Sequence, residues 1–414
     1  MEHSPKIKNS AFLILIWVYI CGCLFVDVLH GFSVQSLHID FKISTIYKLI
    51  LIISMLLYLA VNDRQSFLFL LILFLFLLIS PLRLILNGVE NVTVYDIPLL
   101  MKYLFFFTLM AFLYNVSVKY KKEYEIYAVR VLVLNYYIVC ISVLIGYFGL
   151  GYHTYESAEI GFKGYFIAGN ELSALYILLC VFQLCNVWRS TKKIKFIRYS
   201  FHSLLVILTG ISIATKAALI GALLIPVLTP LLLTISSKRD LSILIFLSCF
   251  CLINIALVFS PYISISMEGV GLIDRAIYFY EQKGLLGMLF SGREVLLESF
   301  ISSYENMHDY FNVIFGSGHV GLKDVYGKNF IEIDPFDAAM YFGIPFAILF
   351  TVVIITIIIS SFLWFGQNKY APLVLFSNFL LFMFALIAGH VWTSSLLVVS
   401  WCLVTNLIWV DKEL

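Results

Sequence analysis

The sequence predicts an all-α polytopic membrane protein: a bundle of about 12 transmembrane helices with one large external loop. Of its 414 residues, 62% are hydrophobic and only 13% are charged, whereas soluble domains have roughly 45–50% and about 25%. The apolar residues are grouped in runs of about 20, the length of helix that crosses a bilayer. Because a soluble protein of this size must cover its surface with polar groups, this composition excludes secreted enzymes, nucleic-acid-binding proteins and soluble multidomain proteins.

Twelve apolar segments are long enough to cross the membrane. In chain order, the predicted spans are residues 11–29, 46–61, 67–86, 97–115, 126–149, 166–187, 199–214, 217–235, 241–260, 336–365, 370–389 and 391–409. They divide the chain into spans one to nine (1–260), a large loop (261–335) and spans ten to twelve (336–414). The first span follows two lysines, as in a signal peptide, but we interpret it as an uncleaved anchor because eleven more spans follow.

The distribution of lysine and arginine predicts the orientation, with both termini cytoplasmic. The connection Trp188–Ser200 carries five basic residues and no acidic one, which is typical of a cytoplasmic loop. The large loop is placed outside by the same rule; its 75 residues include ten acidic and five basic ones, a net charge of −5. Its apolar residues recur at helical spacing in Ile277–Phe290 and Val295–Tyr304, so we expect short amphipathic helices at the mouth of the bundle.

Three cations at the predicted outer face suit a bound diphosphate. Arg293 lies in the large loop, and the capping box formed by Ser291 and Glu294 explains those two residues but not the arginine between them. An arginine at headgroup level binds phosphate through paired hydrogen bonds. Arg275 is a second candidate in the loop. Lys216 lies at the outer junction of spans seven and eight, where a lysine reaching out to the interface is the alternative interpretation.

Three carboxylates precede span ten: Glu332, Asp334 and Asp337. Acids this close together repel one another, which should raise the pKa of at least one and suit it as a general base near neutral pH. The alternative is helix capping, with Asp334 at the N-cap and Asp337 in the first turn. Since capping leaves Glu332 unexplained, Glu332 is the first choice for the base and Asp334 the second.

Other polar residues at the outer ends have simpler explanations. Lys102 and Arg83 are expected to reach out to the interface, and Glu171 occupies the start of a helix, where the dipole favours an acid. His390 could reach the same mouth, although a hydrogen-bonded structural histidine is the simpler interpretation. The two glycines of Phe315–Gly318 predict a tight turn and are weak evidence for a phosphate cradle.

Several short motifs occur in a characteristic order along the chain. They are Gly164-Tyr-Phe166 with Gly169-Asn170, Ala214-Thr-Lys-Ala217, Ser291-Gly-Arg293, Phe315-Gly-Ser-Gly318 and Glu332-Ile-Asp334 with Asp337 and Gly343. With the hydropathy pattern, they resemble the O-antigen polymerase/ligase superfamily of bacterial envelopes. Members of that superfamily commonly have serine–arginine where this chain has Thr215 and Lys216, so the assignment of this motif rests on charge alone.

The resemblance implies a metal-independent glycosyltransferase without a cofactor, located in the bacterial inner membrane. Its substrate would be an undecaprenyl-diphosphate-linked oligosaccharide at the periplasmic face, with Lys216, Arg275 and Arg293 stabilising the departing diphosphate. A carboxylate would take the proton from the attacking sugar hydroxyl. A polymerase of repeat units is the first expectation, and a chain-length regulator protein is an expected partner of such an enzyme.

Two other functions stay open at this point. A ligase that transfers finished glycan to lipid A-core is the first alternative, but ligase-like members tend to carry histidine and asparagine where this chain has Glu332–Asp337. A lipid-sugar flippase or secondary transporter fits the hydropathy equally well. Transporters often consist of two related halves, and no half-to-half similarity is visible in this sequence.

Overall fold

A computed structural model describes residues 11–156, 159–190, 194–235, 310–326 and 330–410, together with helical residues 281, 293, 296–298 and 301. The predicted span 241–260 and Arg275 lie outside the described residues, as do the capping box of Ser291 and Glu294 and most of the two amphipathic helices predicted in the large loop.

The described chain is a helical bundle with one small hairpin. In chain order its elements are α1 (Ala11–Ser36), α2 (Ile43–Asn62), α3 (Arg64–Leu86), α4 (Val92–Lys119), α5 (Lys121–Leu144), β1 (Tyr152–Tyr155), β2 (Ile160–Gly164), α6 (Gly169–Trp188), α7 (Lys195–Ile213), α8 (Lys216–Thr234), α9 (Tyr310–Phe315), α10 (His319–Tyr326), α11 (Asp334–Phe342), α12 (Ile344–Leu363), α13 (Ala371–Ile387) and α14 (Val398–Asn406). Short 3₁₀ turns extend α5 and α14.

The structure confirms the all-α polytopic class. Nine helices among the described residues are long and apolar enough to cross a bilayer, and α13 and α14 are shorter apolar helices. Each predicted span except 241–260, which is not described, coincides with at least one helix.

Local sequence explains several helix boundaries. Asp63 separates α2 from α3, and its carboxylate accepts a hydrogen bond from the backbone N–H of Ser66 at 3.2 Å, which caps α3. Pro345 and Pro372 lie in the first turns of α12 and α13, where a missing N–H costs nothing. Between α7 and α8, Ala214 takes a left-handed conformation, and the Thr215 hydroxyl caps α8 by accepting from the N–H of Ala218.

The centre of the bundle is α6. In its most apolar 18-residue stretch 83% of residues are buried, against 28% in α3 and α8. A helix that is apolar on every side and surrounded by other helices is a core helix, whereas α3 and α8 expose leucine and isoleucine side chains on one face. The arrangement therefore places α6 inside the bundle, whereas α3 and α8 each expose an apolar face.

The hairpin was not predicted from the sequence, because its strands have only four and five residues. It is antiparallel, with Tyr152 paired to Gly164, and the Thr154 hydroxyl joins it to the end of α7 by donating to the Ile213 carbonyl at 2.8 Å. The connections after α1, α3, α5, α7 and α13 meet at this end of the bundle, which we call the hairpin end.

The prediction of one continuous span over 336–365 is wrong. The segment forms α11 and α12, separated by Gly343 with φ of +90°. A Cβ atom at Gly343 would lie 2.0 Å from the carbonyl oxygen of Ile314 in α9, so only glycine permits this approach. The membrane-spanning helix begins at Ile344, and α11 stays at the hairpin end.

The prediction of a helical span beginning at 391 is also wrong, since α14 begins only at Val398. The preceding residues are non-helical although most of them are buried, including Trp392 and Ser394. Non-helical backbone is tolerated inside a membrane protein only where other groups bind its polar atoms. A carboxylate from α11 binds the N–H groups of this segment, as described below.

Candidate active site

A cavity of about 480 Å³ lies at the hairpin end of the bundle. Its walls come from α4, β1, the start of α6, Thr215 ahead of α8, α10, α11 and the segment between α13 and α14. The ionisable residues that line it are Lys102, Tyr155, Glu171, His319, Asp337, Tyr341 and His390. A cavity with several converging charged groups is the default candidate for an active site.

Asp334 holds the wall of this cavity formed by the segment after α13. Its carboxylate accepts three backbone hydrogen bonds, from the N–H groups of His390 at 2.7 Å, Val391 at 2.8 Å and Trp392 at 3.0 Å. Burial raises the pKa of Asp334 to about 6 against the opposing effect of these donors. The capping alternative is wrong for this residue, because Ile333 is the N-cap, Asp334 is the first residue of α11, and its carboxylate binds a different segment of the chain.

Asp337 holds the segment before α11 and lines the cavity itself. Its two carboxylate oxygens accept from the N–H groups of Ile331 at 2.7 Å and Glu332 at 3.1 Å. Burial is the main reason that its pKa rises to about 7, and the nearby Asp334 adds to the rise. The expected increase in a carboxyl pKa is therefore found at two of the three acids, with burial rather than mutual repulsion as its main cause.

Glu332 behaves in the opposite way because it faces two cations. Arg293 Nε donates to Glu332 Oε2 at 2.8 Å and Arg293 Nη2 contacts the same oxygen, while His390 Nε2 lies 3.9 Å from Oε1. Burial alone would raise the pKa of Glu332, but His390 and Arg293 together lower it to about 2. Glu332 is thus an ionised group of lowered pKa and does not show the raised pKa that the cluster of three acids predicts for a general base.

His390 is the residue through which this ion cluster reaches the cavity. Burial opposes a charge on its ring, but the facing Glu332 and the nearby Asp334 raise the pKa of His390 above its ordinary value. Glu332 therefore faces the charged Arg293 on one side and, on the other, an imidazole whose pKa is raised. We refer to Arg293, Glu332 and His390 as the ion cluster.

Backbone conformation at the ion cluster is unusual. Glu332 and His390 both have left-handed φ angles, 66° and 63°, although neither is glycine. Such conformations cost of the order of 1–3 kcal/mol each and occur preferentially at functional sites. Gly389 makes the arrangement possible, because a Cβ atom there would lie 2.4 Å from the Glu332 carbonyl oxygen.

The structure brings only part of the predicted diphosphate site together. Arg293 joins the ion cluster, whereas Lys216 is the first residue of α8 and follows Thr215, which lines the cavity. Arg275 lies outside the described residues. Lys102, which the sequence assigned to the interface, lines the cavity directly.

The Phe315–Gly318 turn does not present a free phosphate cradle. The N–H of Ser317 donates to the Met340 carbonyl at 2.8 Å, and that of Gly318 donates to the Tyr341 carbonyl at 3.3 Å. At the start of α10, the Asp96 carboxylate accepts from the N–H groups of His319 and of Val320, the latter at 3.2 Å. A protein carboxylate therefore occupies the position where a helix would bind an anion.

Two further ionisable residues at the hairpin end, Glu171 and Arg83, make contacts that the sequence did not predict. Glu171 lines the cavity and accepts a hydrogen bond from the Ser394 hydroxyl at 2.8 Å, so the helix dipole is not the whole explanation for its position. Arg83 binds Asn312 of α9 rather than only reaching the interface. The sequence signal was present in both cases, an ionisable residue near the end of a predicted span, but it did not indicate which side of the helix faces the bundle.

Comparison with known proteins adds the family. A family model described as O-antigen ligase like membrane protein matches residues 8–284, about two thirds of the chain. No curated protein and no solved structure matches it. The matched region includes Gly169, Asn170 and Glu171 on the cavity wall but ends before the ion cluster, so the arrangement of that cluster rests on the structure. The chain is a multi-pass membrane protein that belongs to the O-antigen ligase-like family.

Proposed function

We propose that this protein is a surface-polysaccharide polymerase of the bacterial inner membrane. It would join undecaprenyl-diphosphate-linked oligosaccharide units in the cavity at the hairpin end, which we assign to the periplasmic face. One observation carries the proposal. The ion cluster and the carboxyl group of Asp337, whose pKa is about 7, are brought together at one cavity. The family supports a membrane enzyme of the polymerase/ligase group, and the substrate follows from the site chemistry and the resemblance.

The cations of this site suit the leaving diphosphate. His390 and Lys102 line the cavity, and Arg293 binds Glu332, which faces His390. Negative charge increases on the diphosphate as its bond to the sugar breaks, so preorganised cations stabilise the transition state more than the ground state. Lys216 beside the cavity and Arg275 in the large loop retain the same proposed role.

Asp337 replaces Glu332 as the proposed general base. Its pKa of about 7 matches the operating pH, and it lines the cavity, whereas Asp334 does not. Each of its oxygens accepts one backbone N–H and keeps a second lone pair for a substrate hydroxyl. We propose that Glu332 and Asp334 are positioning residues: Glu332 orients Arg293 and His390, and Asp334 holds the segment that carries His390.

The proposed reaction is a direct displacement with inversion. The acceptor sugar hydroxyl oxygen attacks the anomeric carbon of the donor, and its proton passes to the Asp337 carboxylate. The bond between the anomeric carbon and the diphosphate oxygen breaks, and its electron pair leaves on the diphosphate. No metal is assigned a part in this scheme, and a chain-length regulator belongs to the proposal only as a partner that would set the product length.

A ligase is the second candidate, because the matching family is described by ligase-like proteins. Deletion of the gene and analysis of the surface glycan on a gel separate the two. A polymerase deletion leaves lipid A-core bearing a single repeat unit, since the ligase is still present. Bare core with accumulated undecaprenyl-linked polymer would instead establish the ligase, and a normal glycan ladder would contradict both.

A further inference from the structure

A second cavity, of about 360 Å³, lies at the opposite end of the bundle from the ion cluster. It is bounded by the end of α6, the first turn of α7 and the start of α13. Arg189, Arg198 and Lys369 line it together with the polar side chains of Asn186, Ser190 and Tyr370. No aspartate or glutamate occurs among the described residues of its lining. We call it the basic cavity.

Among the described residues, one carboxylate pairs with a cation of the basic cavity. Lys369 Nζ lies 2.9 Å from Glu125 Oε1, which also accepts a hydrogen bond from the Tyr370 hydroxyl. Arg189 is held with its guanidinium carbon 5.6 Å from the centroid of the Tyr370 ring. Its Nη2 atom is fully buried and has no hydrogen-bond partner among the described residues. Three basic residues therefore line the basic cavity, and the ion pair described for them joins Lys369 to Glu125.

Membrane orientation explains why basic residues lie at this end but not why the Nη2 atom of Arg189 is buried. A lysine or arginine that acts only as an orientation signal can stay in solvent, as Lys119 does at the end of α4. Burying a guanidinium N–H without an acceptor costs free energy, of the order of 1–3 kcal/mol. An anion bound to the rest of the same guanidinium group would offset this cost through its charge.

We propose that the basic cavity binds a phosphate group. Arginine forms paired, charge-assisted hydrogen bonds with phosphate oxygens, and a phosphate in the cavity would share its charge among Arg189, Arg198 and Lys369, which line it. Two sources offer this chemistry, the headgroup of an anionic lipid, which basic pockets between membrane helices bind, and a soluble phosphate. The proposal does not depend on the reaction assigned to the other end of the bundle.

Thermal unfolding of the purified full-length protein in a neutral detergent tests the proposal. Phosphatidylglycerol, phosphatidylcholine and inorganic phosphate are added separately, and the concentration giving half of the maximal stabilisation is measured. We expect the parent protein to be stabilised by phosphatidylglycerol or by inorganic phosphate, but not by phosphatidylcholine. A response to the lipid alone identifies a headgroup site, and a response to inorganic phosphate identifies a soluble ligand.

Variants assign the response to the cavity. Arg189→Gln with Arg198→Gln should raise the half-maximal concentration at least about tenfold, because two charge-assisted contacts are lost. Lys119→Gln removes a charge from the same end but outside the cavity and should leave it unchanged. If the double variant does not fold, Arg189→Lys tests the same point by keeping the charge and removing the paired donors. Equal responses in the parent and the arginine variants would overturn the proposal. So would the lack of any response of the parent to phosphatidylglycerol and to inorganic phosphate.

Discussion

Replacing Asp337 by asparagine is the sharpest test of the proposed reaction. The substitution keeps the size of the side chain and one oxygen acceptor but removes the only proposed proton acceptor on the cavity wall. General-base catalysis contributes about 10²–10⁴-fold to a rate, which corresponds to about 2.7–5.4 kcal/mol in the activation barrier. We therefore expect Asp337→Asn to lower the polymerisation rate at least about 100-fold.

The effect on stability should be smaller than the effect on the rate. Asp337 accepts two backbone N–H groups, and asparagine can still accept one of them. Losing the other hydrogen bond to a charged acceptor costs about 1.5–3 kcal/mol. Asp334→Asn is the matched control, since it makes the same change in the same helix to a carboxylate that binds three N–H groups and does not line the cavity. It should destabilise the protein more.

The assay is the initial rate of chain growth on an undecaprenyl-diphosphate-linked repeat unit, measured from roughly pH 5 to 9. A base must be deprotonated to act, so the parent rate should fall as the pH drops through about 7, the pKa of Asp337. Asp337→Asn should lose this dependence along with the rate, whereas Asp334→Asn should retain it. The assignment is refuted if well-folded Asp337→Asn keeps more than about a tenth of the parent rate, or if its pH profile is unchanged.

Four further predictions follow from the structure. Arg293→Ala should abolish chain growth at a normal protein level and Arg293→Lys should restore only part of it, because the paired donors are lost; full activity of the alanine variant would contradict its role. Gly389→Ala should lower activity and the unfolding temperature, since a Cβ would lie 2.4 Å from a carbonyl oxygen; an unchanged unfolding temperature would argue against this packing. The raised pKa values of Asp334 and Asp337 mean that the folded state binds more protons than the unfolded one, so their contribution to stability should fall as the pH rises from about 4 to 7. Unfolding temperatures measured over this range should show a flatter slope for the Asp337→Asn protein. Finally, Tyr310→Cys in a cysteine-free background should react with a membrane-impermeant thiol reagent in spheroplasts, because this exposed residue is predicted to be periplasmic; no labelling would reverse the orientation.

The candidate site shows which part of a functional arrangement the sequence can reveal. Glu332, Asp334, Asp337 and Arg293 were singled out because charged residues near a membrane are costly and need an explanation. Their individual roles could not be derived in this way. Whether a carboxylate becomes a salt-bridge partner, as Glu332 does with Arg293, or a buried acceptor of backbone N–H groups depends on its surroundings in the folded chain.

The sequence by itself determined the membrane class, the all-α architecture and the approximate positions of most of the described spans. Hydropathy is a property of consecutive residues, and a span about 20 residues long must satisfy its backbone hydrogen bonds within itself, so local information suffices. The break at Gly343 and the non-helical segment before Val398 were decided only by the tertiary structure. The carboxylate of Asp334 binds the N–H of His390, 56 positions away, and this contact replaces the helical hydrogen bonds that local sequence would favour. Contacts between distant residues also set the environment, and hence the pKa, of every carboxyl group at the site.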